Sequence, residues 1–256
     1  MLYWFVKRKI IRQLVTRILI GKGIVKEDDL LVEMLENTSE LNIVYTSKSF
    51  QLQSEAFNPE KYKFVGASIG ERKRENNIPY DQMSNKIVYI SMGTIFNTSI
   101  RLINTFIQTF SNMDVTIIIS VGSMINIDKL GIIPSNFYIY PFVDQLEVLK
   151  HADVFITHGG MNSANEAIYY ATPVVVIPQE IDQPMIAKRI EELYLGKMIN
   201  KKNVTASNLR EAVREVLENS VYNNNMMRMS KEMQEAGGNQ KAVMEIEGYL
   251  HEKGLS

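Results

Sequence analysis

From residue 87 to the end of the chain, uninterrupted apolar runs alternate with stretches of helical periodicity, and this alternation narrows the possible folds more than any other feature. The runs "IVYIS" (87–91), "VTIIISV" (115–121), "FYIY" (137–140), "DVFIT" (153–157) and "VVVI" (174–177) have strand length and no regular polar face. Between the first two, Ile103, Phe106, Ile107 and Phe110 form a helical stripe. Further helices are expected around 146–149, from the end of the fourth run to about 170, and over 184–193, 209–217, 226–233 and 242–250, with a short strand at 197–199. Apolar strands separated by helices predict an α/β fold: a Rossmann-like, doubly wound parallel sheet covered on both faces, joined by right-handed crossovers.

Residues 1–68 behave differently. They predict two helices (11–18 and 30–35) and two short strands (43–45 and 62–65), and two strands cannot form a self-standing covered sheet. The stretch "GERKRENNIPYDQMSNK" (70–86) is charged and polar, as a linker is. The expected organisation is a domain remnant over 1–68, a linker over 69–86 and a ligand-binding domain over 87–256. A net charge of −1 implies no nucleic-acid partner. The absence of cysteine excludes disulfides and thiolate metal sites. At the N-terminus the apolar stretch 1–6 precedes Lys7, Arg8 and Lys9, the reverse of a signal peptide, so a cytoplasmic location is expected. The stripe Ile11, Leu14, Val15 and Ile18 suits a helix packed on its own protein better than one lying on a membrane.

The fourth strand ends in "FITHGGMNSANEA" (155–167), where an apolar run stops at a histidine and two glycines and a helix begins. In a doubly wound sheet ligands lie beyond the carboxyl ends of the strands. Gly159 and Gly160 let backbone approach a ligand, and the helix start offers amides and partial positive charge to an anion such as phosphate. His158 adds a donor, and Asn162 and Ser163 add polar side chains over the first turn. A second reading is a capping box in which Ser163 and Glu166 close the helix start on themselves. Glu166 fits that role and also a contact with a ribose diol.

Other strand ends carry compatible groups: Ser91, Gly93 and Thr94 after the first, Ser120 and Gly122 after the second, and "PFVDQ" (141–145) after the third. Phe142 there is placed either to stack on a base or to fill the core. Asp182 and Gln183, after the fifth strand, suit sugar hydroxyls, although Asp182 also suits a plain N-cap. No phosphate loop ending in Lys–Ser/Thr, no G-x-G-x-x-G and no G-x-S-x-G occurs. The three histidines form no metal set, so neither cofactor nor metal is expected.

The segments "VYISMGTIFN" (88–97), "PFVDQLEVLKHADVFITHGGMNSANEAIYYATPVVVIPQEIDQP" (141–184) and "KRIEELYLG" (188–196) resemble the UDP-glycosyltransferase superfamily, most closely its bacterial macrolide glycosyltransferase branch. The likeness runs from about residue 42 to the C-terminus. It implies a two-domain GT-B fold, with acceptor on the N-terminal domain and a UDP-sugar on the C-terminal one, and inverting, metal-independent transfer. By motif position it implies that Phe142 stacks on uracil and the Val143 backbone reads its edge. Gln145 would lie near the ribose, and Glu166 would bind its hydroxyls. His158, Gly160, Asn162 and Ser163 would hold the diphosphate, and Asp182 and Gln183 the sugar. Asp144 departs from the family, where proline is usual.

Transfer to a hydroxyl needs a general base near the acceptor, in the family a histidine early in the N-terminal domain. No histidine precedes His151 here, so the catalytic base is not found in this chain. A transferase lacking most of its acceptor half is therefore expected. It would bind a UDP-sugar and, once an acceptor domain is supplied, a small hydrophobic acceptor such as a macrolide or flavonoid. Two alternatives stand beside it: a non-catalytic nucleotide-sugar binding module, and one chain of a split transferase. Self-association through an apolar N-terminal surface is a further expectation.

Overall fold

The computed structural model describes residues 40–70, 77–93, 99–179 and 182–255. The predicted helices at 11–18 and 30–35, the apolar stripe on which self-association rests, and Thr94 lie outside these residues. The chain divides into two compact units, Met1–Asn42 and Ile43–Ser256.

Two short strands, β1 (Asn42–Val44) and β2 (Tyr62–Phe64), pair with each other in a small sheet. The larger sheet contains β3 (Lys86–Ser91), β4 (Val115–Ser120), β5 (Phe137–Tyr140), β6 (Val154–Thr157), β7 (Val174–Val176) and β8 (Gly196–Met198). Its order is β5-β4-β3-β6-β7-β8, and every pairing is parallel. This is the order of dinucleotide-binding sheets, with the reversal of winding between β3 and β6. The helices are α1 (Ile100–Phe110), α2 (Gln145–His151), α3 (Met161–Tyr169), α4 (Gln183–Glu192), α5 (Ala206–Glu218), α6 (Ser220–Glu235) and α7 (Gly238–Glu252). Each strand and helix expected from residue 87 onward is present.

Alternation along the strands divides the core into two layers. Val88 and Ile90 face one side with Ile117 and Ile119, against Ile103, Phe106 and Phe110 of α1 and Leu209, Val213 and Val216 of α5. Ile87, Tyr89 and Ile118 face the other, with Val148 and Leu149 of α2, Ala164 and Ala167 of α3, and Met226, Met229 and Met233 of α6. Side chains start several helices: Ser99 caps α1, Asp144 caps α2 and Thr205 caps α5. Among the described residues no helix is long and apolar enough to cross a membrane.

Residues 45–69 pack with the sheet rather than apart from it. Phe50 is 2% exposed and joins the second core layer with Ala67. The Val65 amide donates to the Val44 carbonyl at 3.0 Å, and the Gly238 amide of α7 donates to the Val65 carbonyl at 2.6 Å.

Candidate nucleotide-sugar site

The parallel register aligns the strand ends into one edge: Tyr140 beside Ser120, Ser120 beside Ser91, Ser91 beside Thr157 and Thr157 beside Val176. His158 follows the centre of that edge. Gly93 and Gly160 flank its imidazole so closely that a Cβ on Gly93 would lie 2.6 Å from His158 Cε1, and one on Gly160 2.7 Å from Nε2. Any side chain at either position would displace the ring. Burial holds the His158 pKa below its ordinary value, and the Asp182 charge acts in the opposite sense.

Packing against β7 also requires a glycine at 159. Its φ is +79°, and a Cβ there would lie 2.5 Å from Val176 Cγ1. The absent side chain spares a clash with β7. The Gly159 amide donates to Thr157 Oγ1 at 3.3 Å, which fixes the turn.

The capping-box reading is not met. The N-cap of α3 is Gly160, which supplies no side-chain acceptor. Ser163 lies inside the first turn, and Glu166 is 3% exposed. Gln145 on α2 reaches both: its Nε2 donates to Glu166 Oε2 at 2.5 Å and approaches Ser163 Oγ at 3.4 Å. Tyr89 donates its hydroxyl to Gln145 Oε1 at 3.2 Å. Burial pushes the Tyr89 phenol pKa well up, so this hydroxyl stays a donor. Gln145, Ser163 and Glu166 thus converge although 18 and 21 residues separate Gln145 from the other two.

On the loop after β5, Phe142 is 38% exposed, which removes the core reading, while Val143 is buried. Asp144 accepts from the Leu146 and Glu147 amides at 3.0 and 3.3 Å. The departure from proline therefore supplies a cap. Asp182 occupies the N-cap position of α4 without a side-chain cap bond. Gln183 is buried, and its Oε1 accepts from the Gln179 amide at 2.8 Å. Ser120 Oγ lies 3.4 Å from the Pro141 carbonyl, and Asn162 is exposed.

Two residues of this neighbourhood escaped the sequence reading, Tyr89 and Asn165. Asn165 is buried on α3, and its amide bonds to Tyr45 and Thr46. Its signal was available: it follows Met161 by four residues and precedes Ile168 by three, which puts a polar side chain on the apolar stripe.

The chain is similar to known proteins over most of its length. Residues 80–254 match the family model of UDP-glucoronosyl and UDP-glucosyl transferase. The uncharacterized UDP-glucosyltransferase YdhE of Bacillus subtilis is 40% identical over 87% of this chain and 56% of its own length. The NDP-glycosyltransferase YjiC of the same organism is 42% identical over 85% of this chain and 55% of its own. The crystal structure of CalG4, the calicheamicin glycosyltransferase, superposes with a TM-score of 0.79 at 25% identity, covering 94% of this chain and 60% of that one. The chain spans about half the length of the curated relatives it matches.

Proposed function

Because the chain belongs to the UDP-glycosyltransferase family, we propose that its sheet edge binds a UDP-sugar as the donor for inverting transfer to a hydroxyl of a small hydrophobic acceptor, without cofactor or metal. The observation that carries this reading is the imidazole of His158, seated between Gly93 and Gly160 at a helix start whose N-cap lacks a side-chain acceptor. The amides and dipole of α3 favour the diphosphate, and His158 donates to the same group as charge develops on it during bond cleavage. Gln145 and Glu166, already hydrogen-bonded to each other, present acceptors to the ribose. Phe142 offers the uracil an exposed ring. Asp182, with no cap bond to make, is available to a sugar hydroxyl.

His158 belongs at the leaving-group end of this reaction, so the base that deprotonates the acceptor is a separate group. The donor half is the part this chain is proposed to supply, and transfer requires an acceptor-binding partner or segment. A cytoplasmic location remains part of this reading.

Titration calorimetry of the chain with UDP is the direct test. A one-to-one binding heat supports the reading, and no detectable binding overturns it. Turnover of UDP-glucose with a flavonoid or macrolide, alone and with an added acceptor domain, separates a working transferase from a binding module.

A further inference from the structure

The turn over residues 45–50 is laced to two of the helices of the candidate site, within α3 and at the last turn of α4. Asn165 on α3 is 4% exposed; its Nδ2 donates to the Tyr45 carbonyl at 2.7 Å, and its Oδ1 accepts from Thr46 Oγ1 at 2.9 Å. Arg189 on α4 donates from Nε to the Phe50 carbonyl at 3.0 Å and from Nη2 to the Ser49 carbonyl at 2.7 Å. The turn closes on itself, since Ser47 Oγ accepts from the Phe50 amide at 3.2 Å and the Gln51 amide donates to the Ser47 carbonyl at 3.1 Å. Phe50 then enters the core layer that also holds Ala164, Ala167 and Ile168 of α3 and Ile186, Ala187 and Ile190 of α4.

We propose that Asn165 and Arg189 are positioning residues that use this turn as a spacer, fixing the gap between the start of α3, where the diphosphate binds, and the start of α4, where the sugar binds. The proposal rests on the donor-binding reading above. Adjacent residues on a helix point about 100° apart. Glu166 is bonded to Gln145 on one flank of α3 and Asn165 to the turn on another, so together they set the rotation of the helix about its axis. Arg189 spans two successive carbonyls with its planar fork, which a single ammonium cannot do. Donor binding is sensitive to this gap because one ligand must touch both helix starts at once.

The test uses the full chain and calorimetry with UDP and with UDP-glucose, alongside thermal melts. Arg189→Met should weaken UDP-glucose relative to UDP by about tenfold, the scale of a lost hydrogen bond or two, with UDP itself little changed. Arg189→Lys, keeping one of the two contacts, should recover part of that discrimination. Asn165→Leu should weaken both ligands. Thr46→Val, which removes one partner of Asn165 without altering α3, should do so less strongly and covers the case in which Asn165→Leu fails to fold. A purely structural role predicts lower melting temperatures with the affinities for UDP and UDP-glucose unmoved in every folded variant, and that result overturns the proposal. Absence of UDP binding by the unaltered chain overturns the donor-binding reading instead, and this inference with it.

Discussion

At His158 the surroundings decide protonation before any ligand arrives. Burial keeps the folded pKa below the ordinary value of 6.5. The unfolded chain therefore binds a proton on this ring at higher pH than the folded chain. The contribution to stability is complete above about 6.5 and is lost as pH falls through the folded pKa. Replacing His158 with Gln should flatten the fall in melting temperature as pH drops below about 6.5. In calorimetry, His158→Ala should weaken UDP by about tenfold or more, the cost of one charge-assisted hydrogen bond. An unchanged affinity removes His158 from the site. This residue was legible because it stops an apolar run in front of a helix. Asn165 and Tyr89 act through partners distant in sequence, which no local pattern shows. The packing demand on Gly159 was not legible, because the place of Val176 is set by strand pairing and not by local pattern.

At the scale of elements, the starts of helices α2 and α3 in the candidate site solve their amide deficit differently. Helix α2 is short and begins at Asp144, whose carboxylate serves two amides. Asp144→Ala should cost about 1 kcal/mol of stability, read as a lower denaturant midpoint, with UDP affinity kept because Gln145 is held independently by Tyr89 and Glu166. Helix α3 begins at Gly160 with no side-chain cap. A side-chain cap there would occupy the amides that the proposed diphosphate uses. At the turn between β6 and α3, Gly159→Ala combines a left-handed φ with a clash against β7. It should destabilise the protein by about 1–3 kcal/mol, and a melt matching the unaltered chain would contradict the packing described. The order of elements was readable from residue 87 onward because continuous apolar runs and helical stripes differ in period. The choice between a capping box and an open helix start was not, because "SANE" satisfies the sequence rule whether or not the backbone begins the helix three residues earlier.

At the scale of the molecule, the unit that holds the site begins at Ile43, well before the first strand of the larger sheet. The two short strands before that sheet were foreseen, but their attachment was not, since its polar contacts join residues more than 100 positions apart. Asn165 and Arg189 hold the turn over 45–50 from two helices, and Phe50 fills the layer between them. If that segment is integral to the core, Phe50→Ala should cost about 3–5 kcal/mol, as large aromatic deletions from packed cores do. Against a total stability of about 5–15 kcal/mol, this lowers the melting temperature by on the order of 10 °C for a unit of this size. UDP, binding only the folded state, should raise the melting temperature of variant and parent alike. A segment merely draped on the surface predicts instead that Phe50→Ala melts with the parent. The two outcomes differ by several times the uncertainty of a melt, so one substitution decides whether residues 43–69 belong to the donor-binding unit as a structural component or only adjoin it in sequence.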